Sequence, residues 1–223
     1  MNWDWSFSVS ILPQLLAGLA TSIEAAVAGM AIALVLGLLL ALGRRSRTRA
    51  VALPLKEAVE FFRTTPLLVQ LFFLFYVLPQ IGVTLPALLT GVIGLGLYYS
   101  AYTSEVYRAG IEAVPKGQWD AARALNLSGI RTMTDVVLPQ AIPPMIPLLA
   151  NYVIMAFKES SLLSTITVVE LTQTANLIGS QTFHYFEPFT LVGLLYFLVS
   201  YPSALAVKFI QPRIRRAAMY SDG

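Results

Sequence analysis

The chain has 223 residues, 57% hydrophobic and only 12% charged, with a mean hydropathy of +0.69, which excludes an ordinary water-soluble domain. It carries a formal charge of +3, no cysteine and one histidine, which excludes a disulfide framework, a thiolate metal site and a thiol nucleophile. No G-x-x-x-x-G-K-[ST] phosphate loop and no G-x-S-x-G elbow occurs, so no catalytic residue is assigned and any ATP used must be held by another chain.

Five apolar blocks approach the roughly 20 residues that a helix needs to cross a membrane. They cover about 19–42, 59–79, 85–106, 142–169 and 189–210. None alternates with the period of two that an outer-membrane barrel requires. The predicted fold class is therefore all-α: a polytopic membrane protein with five transmembrane helices, read as a single domain over 1–223. The first block has no basic segment before it and a positive cluster after it, the reverse of a cleaved signal peptide. Glu24, near its outer end, is read as snorkelling toward water.

Of the 15 Lys and Arg residues, all but Lys158 fall into three groups. The first runs from Arg44 to Arg63, the second comprises Arg108, Lys116, Arg123 and Arg131, and the third Lys208, Arg213, Arg215 and Arg216. The intervening segments 1–18, 79–86 and 170–187 hold none. Positive charge is retained on the cytoplasmic side, so this pattern predicts an outer N-terminus and a cytoplasmic C-terminus. It also accounts for the basic isoelectric point without nucleic acid as a partner. His184, in the last outer segment, is a solvated loop residue on this reading, with no second His or Cys to complete a metal site.

The second block opens on a polar approach, KEAVEFFRTTP, before its apolar run. In the third, Tyr98 and Tyr102 share one helical face, either to stack on a cationic solute or to pack between helices. Glu105 and Arg108 are spaced as an intrahelical pair. Gly29, Gly37, Gly91, Gly94 and Gly96 are read as close-packing positions between spans, and suggest a dimeric transmembrane unit.

Between the third and fourth blocks lies GQWDAARALNLSGIRTMTDVVLPQA, residues 117–141, too polar for lipid. Asp120 stands near the start of a strong helix former, where a carboxylate complements the helix dipole. Ala121, Ala122 and Ala124 keep a slim face, Leu125 and Leu127 offer apolar anchors, and Asn126 tolerates the left-handed conformation that ends helices. The segment is a short helix, either for docking or as a solvated connection. Arg123 and Arg131 suit acidic partners or simply the positive-inside pattern.

In the fourth block, Lys158 and Glu159 stand at depth beside Ser160 and Ser161, and ionisable groups there cost about 2.5–3.5 kcal/mol on insertion scales. Helix neighbours point about 100° apart, so Lys158 and Glu159 do not pair simply with one another. Either each meets a different neighbour, or the helix is interrupted and exposes backbone to a cavity. The island offers an anion, a cation and two hydroxyls to a zwitterionic solute; alternatively both charges brace the bundle.

The polar segment resembles the EAA loop of ABC importer permeases, whose pattern is E-A-A, three residues, G, nine residues, I-x-L-P. Here Asp120-Ala121-Ala122, Asn126 and Val136-Val137-Leu138-Pro139 keep that spacing, with Asp for Glu, Asn for Gly and Val for Ile. Similarity to the polar amino acid branch (histidine-, glutamine- and arginine-type permeases) extends through Gly18-Leu19-Ala20-Thr21, the stretch from Glu60 to Gln70, the stretch from Ala101 to Gly110, and Lys158-Glu159-Ser160-Ser161-Leu162.

The resemblance implies a permease subunit of the bacterial cytoplasmic (inner) membrane. Its loop 117–139 would dock in a cytoplasmic ATPase dimer through Gly117, Asp120, Ala121, Ala122, Arg123, Leu125, Asn126 and Pro139. ATP and Mg would reside on that ATPase, leaving no cofactor in this chain. A second permease subunit, identical or related, and an external solute-binding protein complete the implied assembly. A solute pathway would run past Tyr98, Tyr102, Lys158, Glu159, Ser160 and Ser161. The implied cargo is a polar amino acid, with ectoine-like compatible solutes as an alternative; an ion-coupled secondary transporter and a non-transporting scaffold are the rivals from other classes.

Overall fold

The computed structural model describes residues 3–220, with side chains through Pro212. The side chains of Arg213, Arg215 and Arg216 lie outside the described residues. All regular structure among the described residues is helical: α1 (Trp5–Arg44), α2 (Arg49–Thr64), α3 (Leu67–Phe72), α4 (Ala87–Glu112), α5 (Lys116–Ala124), α6 (Gly129–Arg131), α7 (Leu138–Glu159), α8 (Leu171–Thr182) and α9 (Phe186–Tyr220).

Three helical runs are long and apolar enough to cross a membrane: Trp5–Arg44, Gly129–Ile166 and Phe186–Pro212. A fourth arises if α2 and the run Leu67–Ile81, bent by 105°, count as one span. α4, with 26 residues, is central and less apolar, because its neighbours cover Thr90, Ser100, Thr103 and Ser104.

α1 starts well before the apolar block at 19. Asp4 caps it by accepting the Phe7 amide at 3.0 Å, and that bond holds the Asp4 carboxyl below its usual range. Ser8, Ile11, Leu15 and Gly18 then recur at helical spacing as a buried face. At about 1.5 Å per residue the helix is about 60 Å long, so it extends beyond a membrane of about 30 Å. Its early face packs on α8 and α9, where Ile11 and Leu15 meet Leu171, Ala175, Ile178 and Val192.

The glycine positions act within one chain. A Cβ at Gly29 would lie 2.8 Å from the Leu95 side chain, and one at Gly37 would lie 2.9 Å from the Ser100 carbonyl oxygen. Beside Gly37, the Thr103 hydroxyl donates to the Ala33 carbonyl at 2.8 Å. These glycines therefore serve α1–α4 contact and say nothing about a dimer.

The second block is not one continuous span. Proline lacks an N–H and pushes its predecessor out of the helical region, so Thr65 before Pro66 sits at φ −94°, ψ 138°. The buried Gln70 amide closes the elbow from inside, its Nε2 donating to the carbonyls of Phe62 (3.0 Å) and Thr65 (3.1 Å) and to the Thr65 hydroxyl (2.8 Å). The segment 170–187, expected as an outer loop, is likewise no simple loop, since it contains α8.

Candidate functional site

At the Arg44 end of the bundle, α5 stands on the short link after α4 and packs against the π-helical turn Thr132–Val137. Its end is built by three bonds: Leu125 N–H to the Ala121 carbonyl, Asn126 N–H to that of Arg123 (2.9 Å) and Leu127 N–H to that of Ala122 (3.0 Å). The last two form a Schellman motif, which requires a left-handed residue, and Asn126 supplies it with φ 53°. Ser128 then caps the next turn by accepting the Arg131 amide at 3.3 Å.

The helix begins at Lys116 after Pro115, so Asp120 lies beyond the first turn and not near the start. Its carboxylate faces Arg123 on the exposed side at 3.3 Å. Ala122 is buried at 2% exposure, against the chain itself. The outward surface consists of Gly117, Asp120, Ala121, Arg123, Ala124, Leu125 and Asn126, with Leu125 73% exposed and Ile130 78%. Pro139, also exposed, lies in the first turn of α7. Arg131 is exposed as well.

The second group of predicted residues surrounds the end of α7. There the helix stops at Glu159 and tightens into a 3-10 run, Ser160–Ile166, before Thr167 turns left-handed at φ 67°. Hydroxyls explain the change. Those of Ser160, Ser161, Ser164 and Thr165 each donate to the carbonyl three residues earlier, at 2.6–2.9 Å, competing with the α-helical bond. Ser160 is fully buried, whereas Ser161 lines a cleft of about 320 Å³ with Met155, Lys158, Glu159 and Leu162.

Lys158 is exposed and in no ion pair among the described residues, while Glu159 turns toward α4 and accepts the Tyr99 hydroxyl at 2.6 Å. Tyr99 touches Tyr98, Tyr102 and Tyr152 with centroids 5.3–6.2 Å apart. The Tyr98 and Tyr102 hydroxyls are 3.1 Å apart. Tyr102 also reaches the elbow, donating to the Arg63 carbonyl at 3.3 Å, with the Arg63 guanidinium 5.8 Å from its ring centre. The predicted Glu159, Tyr98 and Tyr102 are thus brought together around Tyr99, the residue that sequence reasoning passed over because it lies off the face that Tyr98 and Tyr102 share, while Lys158 stands apart from the tyrosines at the cleft beside Glu159.

Chemically, Glu159 offers a carboxylate with one hydroxyl donor and remaining acceptor capacity beside aromatic faces, suited to an ammonium or guanidinium. Lys158 offers the complementary cation. The Glu105–Arg108 pair forms as spaced, at 2.7 Å, and gains Arg44 at 2.6 Å and Arg63 at 4.0 Å. One carboxylate therefore joins α1, α2 and α4 beneath the tyrosines.

A further acid was missed altogether. Glu170 is fully buried and caps α8, its carboxylate accepting the amides of Gln173 (2.8 Å) and Thr172 (2.9 Å) and the hydroxyls of Tyr196 (3.1 Å) and Ser22 (3.2 Å). Its signal was an acid directly before the helical pattern LTQTANLIGS.

Comparison with known proteins places this geometry. A family model described as "Binding-protein-dependent transport system inner membrane component" matches residues 33–216. The chain is 48% identical to the probable amino-acid ABC transporter permease protein y4tG of Sinorhizobium fredii, over 94% of this chain and 90% of that one. It is 34% identical to the arginine transport system permease protein ArtQ of Bacillus subtilis, covering 100% of both chains. A solved structure described as an amino acid ABC transporter with histidines superposes with a TM-score of 0.90 at 35% identity, over 96% of this chain and 100% of that one. The chain belongs to the family of binding-protein-dependent transport system inner membrane components.

Proposed function

We propose that this chain is the permease subunit of an ATP-driven importer that moves a polar amino acid into the cell. The cargo class rests on the amino-acid and arginine transport named for its relatives. The ectoine-type cargo is not favoured by those names, nor an ion-coupled carrier or scaffold by the family. The reading includes five spans, formed by α1, the elbowed second block, α4, α7 and α9, with the N-terminus outside and the C-terminus in the cytoplasm. Support comes from the charge pattern and from α1 joining the Trp3–His184 end to the Arg44–Glu105 end.

One observation carries the coupling role: α5 is a short helix whose outward face is open and whose end is fixed by a complete Schellman motif. Such an element transmits displacement without unwinding. ATP-driven closure of a partner ATPase dimer, which holds ATP and Mg, would move α5 and α7 as a body, and rigid-body rocking opens one side of a central site and closes the other. An external solute-binding protein delivers the cargo, and a second permease subunit completes the pathway. Within it, Glu159 faces the solute ammonium or guanidinium and Lys158 its carboxylate.

The absence of cysteine permits a direct test. A single Cys replaces exposed Ala124, another is placed in the groove of the co-expressed ATPase, and disulfide crosslinking is followed in membranes with and without ATP. An ATP-sensitive crosslink is the expected result. No crosslink in a complex shown to be assembled sinks the coupling role. Proteoliposome uptake with arginine, histidine and glutamine then tests the cargo, and no amino-acid-stimulated ATP hydrolysis would reject that class.

A further inference from the structure

The Arg44–Arg63 stretch contains six cations, and the structure divides them. Arg44 and Arg63 turn to Glu105, at 2.6 and 4.0 Å. Arg45, Arg47, Arg49 and Lys56 are exposed and within 4.0 Å of no carboxylate among the described residues. Arg45, Arg47 and Arg49 stand where α1 ends and α2 begins, and Lys56 follows two turns along α2 on the Arg49 face; the Arg45 guanidinium also lies 5.8 Å over the Trp119 ring of α5.

α2 presents three faces. Val59 is buried at 1% exposure, with Leu55 and Ala58 beside it, toward α1 and α4. Arg49, Lys56 and Glu60 form a polar face. A separate apolar strip of Val51, Pro54 and Phe61 remains uncovered by this chain, with Val51 46% and Phe61 58% exposed. Unpaired cations alone would suit either an acidic protein rim or a membrane. Cations on one face and an uncovered apolar strip on another, with Glu57 exposed between them, at the foot of a membrane-length helix, make an amphipathic element suited to a membrane surface: the strip enters the acyl boundary while the long cationic side chains reach phosphate.

We propose that the α1–α2 corner is a binding site for anionic phospholipid headgroups, with Arg45, Arg47, Arg49 and Lys56 as the recognising groups. The inference needs α1 to span the membrane and does not depend on the cargo or on the role of α5.

The test is native mass spectrometry of the complex assembled with its ATPase, equilibrated with equal amounts of phosphatidylglycerol and phosphatidylcholine of matched chains. Each cation near an anionic surface contributes about a fivefold preference. Wild type retains phosphatidylglycerol preferentially. Joint Arg45→Gln, Arg47→Gln and Arg49→Gln substitution lowers that preference by about a hundredfold. The corresponding triple Lys variant keeps it, and Lys56→Gln loses about fivefold. Equal retention of the two lipids by wild type overturns the proposal, including the case in which the ATPase covers the corner. An unchanged preference in the triple Gln variant overturns it too. If the triple Gln variant fails to insert, Lys56→Gln decides in its place, and an unchanged preference in that variant overturns the proposal.

Discussion

Glu159 and Glu170 stand at either side of the same tightened turn, yet they are different kinds of acid. Glu170 is fully buried and receives four donors from α1, α8 and α9. Glu159 is half-buried, borders an open cleft and, among the described residues, receives a single hydroxyl, from Tyr99. A saturated carboxylate has nothing left to offer a ligand, and its removal orphans every donor around it. One with spare acceptor capacity beside a cleft is free to exchange partners. Charge beside one turn therefore does not by itself mark function; on the proposed reading, the count of satisfied lone pairs separates brace from binder.

The largest effect falls on the brace. Glu170→Ala removes a helix cap and strands two amides and two hydroxyls, so it should destabilise by about 3 kcal/mol or more, seen as loss of purified complex or a sharply lowered melting temperature. A Glu170→Ala protein that melts like wild type would erase the distinction. Next in size, Asp120→Lys should leave insertion and melting intact while uptake no longer follows ATP hydrolysis in proteoliposomes; normal coupled uptake would exclude Asp120 from the coupling face. Glu159→Gln keeps shape and removes charge, so solute affinity measured by uptake should fall about tenfold or more, with melting close to wild type. Unchanged uptake with an unchanged solute range would make Glu159 a brace like Glu170. The smallest effect sharpens the same contrast: Tyr99→Phe deletes the one donor to Glu159 among the described residues, and uptake should shift by about three- to tenfold without loss of complex.

The sequence made local chemistry legible and long-range closure much less so. Asn126 declared a left-handed helix end, and Glu105 with Arg108 declared a pair by spacing, because both depend on residues within one turn. Lys158 and Glu159 stood out because charge at depth is costly. The role of Glu170 depends on Ser22 and Tyr196, which no periodicity relates to it, so it read as part of an outer segment. Tyr99 was hidden by its angle, away from the Tyr98–Tyr102 face. Pro66 was visible throughout, but hydropathy alone ran the second block across it; the residue before proline should have divided that block.

That division has a kinematic consequence. The chain bends by 105° between the two arms, and Gln70 laces the inner side of the joint through three bonds while its own Oε1 is buried and has no partner among the described residues. An amide held this way resists changes of angle more than changes of position. With that angle held, the two arms move as one rigid elbow: a tilt of α2, where Arg63 and Tyr102 meet, carries α3 through the same rotation, while a straight helix in the same place would carry no second arm.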